Sequence, residues 1–365
     1  MNATLPTSHA AAGSVPRATS EVLRGALAGL LDGLGPKRTA QAVDRLIANY
    51  RGTTPTDAPV LRDRSDVAAY AAYRMPATFE AVRSALGALR EAAPAWTPDT
   101  HTDVGGGTGA ATWAVSEAWG TQRSTVLDWA DPALTLGREL AEASGAPALR
   151  DVVWQRARIG AALSLGGSAL VTISYVLKEL DAADRTTLVA EAARAATGAV
   201  VVVEPGTPDG YRRVLAAREQ LLAAGLSIAA PCPDGGACPM DPEGTDWCHF
   251  SARVSRSSLH RQVKGGSLPY EDEKFAYVVA VRDAVVGARP VDGRVVRRPQ
   301  IRKGLVMLEL CRRDEGESGR QPVLARENVS KKRHGDLYRA ARDTDWGDAW
   351  PPPSERSSQG ASREV

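Results

Sequence analysis

Apolar positions in the first quarter of the chain recur at helical spacing. Val22, Leu23, Ala26, Leu27, Leu30 and Leu31 form a stripe at intervals of three and four, and Ala42-Val43-Leu46 and Phe79-Val82-Leu86-Leu89 repeat it. A helical region over 21–95 is therefore expected, its last helix opening at Pro76, whose fixed φ suits a first turn. After Pro94 the rhythm changes. Short apolar runs, His101–Val104, Ser124–Leu127, Ala169–Ser174 and Ala199–Val203, alternate with helical stretches that start near Gly109, Pro132 and Ala183. A parallel sheet covered by helices on both faces is written this way, so 96–230 is expected to be an α/β core. Two later runs, Phe275–Val281 and Leu305–Leu310, are expected to complete the sheet within 271–312. Between them and the core lies an insertion over 231–270, rich in Gly, Pro and Cys and too polar to be core.

Composition narrows the class. With 365 residues, 43% of them hydrophobic and 24% charged, the chain is an ordinary globular protein rather than a fibrous or disordered one. No apolar run approaches the roughly 20 residues of a membrane span, so no membrane partner is expected. Residues 1–20 and 350–365 have the composition of disordered tails; the first, with Arg17 as its strong charge, also fits an organellar transit peptide. Four cysteines without a secretory segment imply a reducing compartment, the cytoplasm or alternatively the mitochondrial matrix, where grouped thiols more often bind metal than form disulfides. The net charge of +2 hides an asymmetry: from Arg297 to Arg342 there are thirteen Lys or Arg against six Asp or Glu. Such a bias suits contact with a polyanion, and it also suits a solvated charged face.

Asp103-Val104-Gly105-Gly106-Gly107-Thr108-Gly109 follows an expected strand and opens an expected helix. Glycines there permit a tight turn and let backbone N–H groups approach a ligand at a helix N-terminus. Asp128 closes the next strand about twenty residues on, where a carboxylate can accept ribose hydroxyls. Spacing alone does not separate a nicotinamide cofactor from S-adenosylmethionine. The form Asp-x-Gly-x-Gly-x-Gly resembles the first motif of class I methyltransferases, which makes Asp103, Gly105, Gly107, Gly109 and Asp128 the candidate cofactor residues, with Asp103 near the cofactor's amino group. Ser174, at the end of the fourth strand in Ile173-Ser174-Tyr175-Val176-Leu177, joins them.

Cys232, Cys238, Cys248 and Cys311 are separated by five, nine and sixty-two residues. Structural zinc usually takes pairs two to four residues apart. The wider intervals, with flanking prolines, suit a 4Fe-4S cluster better; zinc and unligated buried thiols remain the alternatives. Arg253, Arg256, His260, Arg261 and Lys264 recur at helix-like spacing behind the cysteine loop. Lys331, Lys332 and Arg333 head a basic extension over 313–349 in which Tyr338 and Trp346 are interleaved. Cations mixed with stackable rings suit an RNA surface.

Several segments together resemble one family, the ribosomal small-subunit methyltransferase-like proteins found in bacteria and, as assembly factors of the small ribosomal subunit, in mitochondria. They include Ala72-Tyr73-Arg74-Met75-Pro76-Ala77-Thr78, the glycine loop, Ser174–Leu180, Pro231–Met240, Asp246–Ala252, Leu259–Gly266, Tyr270–Phe275 and Trp346-Gly347-Asp348. The resemblance implies a class I S-adenosylmethionine-dependent methyltransferase (Rossmann-like) fold with a cysteine-rich metal-binding insertion. It also implies a 4Fe-4S cluster on Cys232, Cys238, Cys248 and Cys311, and action on or binding to small-subunit rRNA during ribosome assembly, in support of translation. The Asn/Asp-Pro-Pro-Tyr loop that commonly serves base methylation is reduced here to Ser174-Tyr175-Val176-Leu177. A catalytically inactive assembly factor is therefore the alternative to an rRNA methyltransferase, and a small-molecule methyltransferase is the third reading.

Overall fold

Ala199–Val203 is apolar at every position, and the fold buries it on both faces. The computed structural model describes residues 19–31, 64–120, 123–256, 268–285, 287–314 and 321–352. Ala42-Val43-Leu46, Arg261, Lys264 and both expected tails except 19–20 and 350–352 lie outside them.

Helices α1 (Thr19–Leu31) and α2 (Arg64–Ala92) come first. There follow β1 (Thr100–Val104), α3 (Ala110–Trp119), β2 (Arg123–Asp128), α4 (Asp131–Ala143), the short α5 (Pro147–Arg150) and β3 (Val153–Arg156). The core continues with β4 (Ser168–Ser174), α6 (Ala182–Ala195), β5 (Ala196–Pro205), α7 (Pro208–Ala223) and β6 (Ser227–Ala230). Beyond it come β7 (Phe250–Ser255), β8 (Tyr270–Val281), β9 (Gly293–Val295), β10 (Gln300–Arg302), β11 (Leu305–Asp314), β12 (Gln321–Ser330) and α8 (Lys331–Asp343).

The main sheet has the order β3-β2-β1-β4-β5-β8-β6, with β7 also paired to β8. Strands β1 to β5 are parallel, and β8 runs antiparallel to β5, β6 and β7. This order with one reversed strand is the Rossmann-like α/β architecture expected of class I methyltransferases. The order reverses between β1 and β4, and ligands of open α/β sheets bind beyond the carboxyl ends of the strands at such a switch point. Alternation sets the two cores. Val201 and Val203 pack with α1 to α4, whereas Val200 and Val202 pack with α6 and α7.

Three expectations are corrected. Pro76 lies inside one continuous helix, α2, rather than at a helix start. Leu305–Leu310 does not complete the main sheet: β11 is the centre of a second sheet, β10-β11-β12 with β9 also on β11. Val306, Leu308 and Leu310 face a small core with Tyr338, Ala341 and Trp350 under α8, and this alternation specifies which side is buried, not which sheet the strand joins. Finally, Arg253 lies on strand β7, not on a helix. Phe250, Ala252 and Val254 turn inward at period two, and Arg253 stands on the exposed face between them.

Candidate functional site

Chain reversal after β1 requires left-handed backbone, and Gly105, Gly107 and Gly109 supply it with φ of +67°, +54° and +83°. The loop is anchored from below. Gly105 and Gly106 N–H donate to Leu127 O (2.8 and 3.2 Å). Asp128 accepts from Gly107 N at Oδ2 and from Ala130 N at Oδ1, both 2.9 Å. Burial raises the Asp128 carboxyl above its ordinary range, with the bonds from Ala130, Gly107 and Trp129 pulling it back. A side chain at Gly105 would strike Val176 Cγ2 at 2.5 Å, and one at Gly109 would strike Trp154 at 2.7 Å. Gly107 differs: a Cβ there would meet only Asp128 Oδ2, at 3.9 Å. Open space therefore stands above Gly107, beside an acid with lone pairs to spare.

Asp103 is fully buried under this loop, and its oxygens accept from Thr172 Oγ1 (2.9 Å) and Thr112 Oγ1 (3.2 Å). Burial pushes its carboxyl up to about 6 against those two bonds. Thr172 Oγ1 also lies 2.9 Å from His101 Nε2, and His101 Nδ1 lies 3.2 Å from Ser124 Oγ. Because the threonine proton is spent on Asp103, Nε2 carries the imidazole hydrogen and Nδ1 accepts from Ser124. Burial holds His101 down to about 3, so the ring is neutral. Asp103 thus ends a buried relay through β1, β2 and β4, which the sequence signalled only as polar residues inside apolar runs.

Ser174 is buried at the end of β4. Tyr175, after it, has φ of +60°, and its hydroxyl donates to Glu273 Oε1 at 3.1 Å. Arg74 forks onto Glu273 (3.0 and 3.4 Å) and lies 5.2 Å over the Tyr175 ring. Burial raises the Tyr175 hydroxyl well above its ordinary range, and the Glu273 charge adds to this. The aromatic ring of the post-β4 segment is therefore engaged by α2 and β8.

Cys232 and Cys238 lie on the loop after β6, Cys248 precedes β7, and Cys311 is on β11. Cys311 is out of phase with Val306, Leu308 and Leu310 and so faces the other side of its sheet. All four thiols pack against the same core cluster. Burial raises Cys248 well above the ordinary thiol range, and the charges of Cys232, Cys238 and Cys311 raise it further. Cys311 is raised in the same way, by burial and then by Cys232 and Cys238. Arg218 opposes these effects at Cys232 and Cys311, and Arg297 opposes them at Cys248. Arginines also hold the loop by its carbonyls: Arg218 donates to Asp234 O (3.3 Å), Arg313 to Pro233 O (2.8 Å) and Arg294 to Pro231 O (3.4 Å). The Tyr211 hydroxyl donates to Met240 O (3.1 Å) and lies 3.3 Å from Cys238 Sγ. His249 stacks on Trp247 and donates from Nδ1 to Trp247 O (2.9 Å). Among the described residues no three Cys, His, Asp or Glu side chains stand at the spacing of a single metal ion.

Of the candidate RNA contacts, Arg253 pairs with Asp272 (3.0 Å) and stacks 4.3 Å over Tyr270, and Arg256 pairs with Glu271 (3.0 Å). Lys331, Lys332 and Arg333 are exposed in the first turn of α8. They occupy a single turn that a kink at Gly335 (φ +46°) separates from the rest of α8. Among the described residues no helix is long and apolar enough to cross a membrane.

The family described as mitochondrial small ribosomal subunit Rsm22 matches residues 64–351. Human mitochondrial ribosome assembly protein METTL17 is 30% identical over 301 residues, which cover 77% of this chain and 62% of that protein. The Rsm22-cox11 tandem protein 2 of Schizosaccharomyces pombe, also mitochondrial, is 25% identical over 209 residues, 46% of this chain and 26% of that one. The chain thus spans less than two thirds of either relative. Among solved structures, the magnesium protoporphyrin IX methyltransferase of Synechocystis with bound SAH superposes at a TM-score of 0.37, with 14% identity over 57% of this chain and 82% of that one. An O-methyltransferase family protein from Burkholderia thailandensis superposes at 0.40, with 13% identity over 72% of each.

Proposed function

The chain belongs to the Rsm22 family, and from that membership we propose that it is a methyltransferase-like assembly protein of the small ribosomal subunit that binds S-adenosylmethionine, carries a 4Fe-4S cluster and contacts rRNA. The observation that carries this reading is that Cys311, from a second sheet, packs against the same core cluster as the three cysteines of the β6–β7 loop.

The residues fit both groups. For the cofactor, the left-handed glycines, the open space above Gly107 and the Asp128 carboxylate stand at the sheet's switch point. When bound, S-adenosylmethionine supplies an electrophilic methyl on a sulfonium. For the cluster, four soft thiols share one core, and beside them the buried Arg218 Nε and Asp234 Oδ2 have no hydrogen-bond partner among the described residues. A tetrahedral zinc site would draw its sulfurs to roughly 3.8 Å of one another, following from Zn–S bonds of about 2.3 Å. A 4Fe-4S cluster needs its four thiolates farther apart than that. Held by Cys232, Cys238, Cys248 and Cys311, it would tie β11 to the β6–β7 loop and so fix the second sheet, with its basic α8, against the main one. Lys331, Lys332 and Arg333 are the phosphate contacts in this reading, and Arg261 and Lys264 would extend them from 257–267. Arg253 and Arg256, already ion-paired, contribute less.

Tyr175 favours a second reading, an assembly factor without methyl transfer. Its hydroxyl is committed to Glu273, whereas base methylation needs the post-strand segment free to hold the acceptor. The role places the chain wherever its small subunit is assembled; the relatives named above are mitochondrial. The test is to incubate the protein with labelled S-adenosylmethionine and with small subunits from a strain lacking it. Incorporated methyl supports the enzyme, and binding without methyl supports the factor. Failure to bind small subunits sinks both.

A further inference from the structure

Four arginines stand around the cysteine loop, and three of them have a carboxylate. Arg294 pairs with Glu91 (2.9 Å), Arg297 with Asp246, and Arg313 with Asp292 (3.8 Å). Arg218 has none at ion-pair distance among the described residues, although it is only 4% exposed. Its Nη2 donates to the carbonyls of Asp234 (3.3 Å) and Gly236 (2.5 Å), and its buried Nε has no partner among the described residues. The Asp234 carboxylate accepts from Gly236 N (2.7 Å) and does not come within ion-pair range of the guanidinium. A guanidinium does not lose its proton in a protein, so Arg218 carries a full charge where it is buried. Neutral carbonyls offset little of that cost, and an anion is required. Position supplies the candidate. From α7, Arg218 donates into the stretch between Cys232 and Cys238. Burial raises the Cys232 thiol, and the Arg218 charge and hydrogen bond oppose that rise; the same charge reaches Cys311, on the second sheet.

We infer that Arg218 is the counter-ion of the thiolate centre and raises its reduction potential. The inference rests on the cluster reading above and adds to it a residue and a direction. Four thiolates outweigh the positive charge of an iron–sulfur core, so the loaded site is an anion and balances the buried guanidinium. Reduction by one electron adds a negative charge there. A fixed cation beside the sulfurs therefore stabilises the reduced form more than the oxidised one, and burial leaves that attraction little screened. Net charge and hydrogen bonds around the sulfurs are among the levers that set such a potential. Arg313 separates this effect from support of the loop. It too holds a loop carbonyl, Pro233 O at 2.8 Å, but Asp292 balances its charge.

The full chain is prepared anaerobically as wild type, Arg218→Gln, Arg218→Lys and Arg313→Gln. Iron and acid-labile sulfide are quantified, and each protein is titrated with dithionite while the electron paramagnetic resonance of the reduced cluster is followed. Arg218→Gln keeps a donor for the loop carbonyls and loses the charge. At a fixed potential its ratio of oxidised to reduced cluster is expected to rise about tenfold, a midpoint about 59 mV lower for one electron. Arg218→Lys keeps the charge and should recover most of that shift, and Arg313→Gln should shift little. Should Arg218→Gln hold no iron, the counter-ion role requires that Arg218→Lys still load it. An unchanged midpoint in a loaded Arg218→Gln overturns the inference and leaves the cluster standing. So does a shift that Arg218→Lys or Arg313→Gln shares in full, or loss of iron from both Arg218 variants. A wild type without iron sinks the cluster reading itself, and the counter-ion with it.

Discussion

Gly105 and Gly107 are two residues apart in one loop, and the structure gives them different reasons to be glycine. Alanine at either must adopt the left-handed region, at about 1–2 kcal/mol. At Gly105 the new methyl also collides with Val176, whose Cγ2, Cβ and Cγ1 stand 2.5, 2.8 and 3.1 Å away. Val176 is 7% exposed and branched at Cβ, so it has little room to rotate. Overpacking of this kind adds about 1–3 kcal/mol. Gly105→Ala is therefore expected to cost about 2–5 kcal/mol and Gly107→Ala about 1–2, the latter with only Asp128 Oδ2 near, at 3.9 Å. Urea unfolding of both variants measures the difference, provided the slope is unchanged. A double-mutant cycle with Val176→Ala should return a favourable coupling of about 1 kcal/mol or more, because two of the three colliding atoms are gone. Calorimetry with S-adenosylmethionine should show the reverse ranking per unit of stability lost. A bulky residue at Gly107, such as Gly107→Val, fills the open space and abolishes binding. Equal stability of the two alanine variants, an additive cycle, or unaltered cofactor affinity in Gly107→Val would refute the reasoning.

Buried neutral His101 makes the protein acid-sensitive. Its folded pKa of about 3 lies below the ordinary 6.5, so the unfolded chain takes up a proton first and stability falls as pH drops through that window. His101→Gln should gain on the wild type by about 2 kcal/mol between pH 6.5 and pH 5, at 1.36 kcal/mol per unit; parallel pH profiles in urea would count against the relay. Asp103, raised to about 6, contributes with the opposite sign in both proteins and cancels in that comparison. Tyr175→Phe removes the bond to Glu273 and should cost about 0.5–1.5 kcal/mol. Any methyl transfer should survive it, and complete loss of transfer at full cofactor affinity would give the hydroxyl a chemical role. Replacing Lys331, Lys332 and Arg333 with Gln should flatten the salt dependence of single-stranded RNA binding by about 2 log units per log unit of salt, at roughly 0.7 per phosphate contact. Arg253→Gln should change it little, since Asp272 already holds that cation; the opposite ranking would move the RNA surface to β7.

Much of the main sheet was legible because buried strands must be apolar on both faces. Ala169–Ser174 and Ala199–Val203 could hardly be anything else, and the helices begin within a residue or so of Gly109, Pro132 and Ala183. The strands that went unread, β3, β6, β7, β9, β10 and β12, are short or have one exposed face, and nothing in Val153–Arg156 distinguishes it from a loop. Arg253 misled because a cation on a solvent-facing side obeys no period, whereas Phe250, Ala252 and Val254 on the other side of its strand alternate. The glycine loop and the cysteines were visible as residue types. Their supports were not. Trp154 against Gly109 and Gly137, Arg218, Arg294 and Arg313 on the cysteine-loop carbonyls, and Glu273 on Tyr175 join positions far apart in the chain, and a side chain carries no mark of a distant carbonyl it will bond.

The central claim is that Cys232, Cys238, Cys248 and Cys311 hold one inorganic centre. Anaerobic purification of the full chain, with iron, acid-labile sulfide and zinc quantified per chain, tests it most directly, with Cys311→Ala prepared alongside. A brown protein with about four irons and four sulfides, depleted in Cys311→Ala, is predicted. A colourless protein holding one zinc, or an iron content indifferent to Cys311, would contradict it.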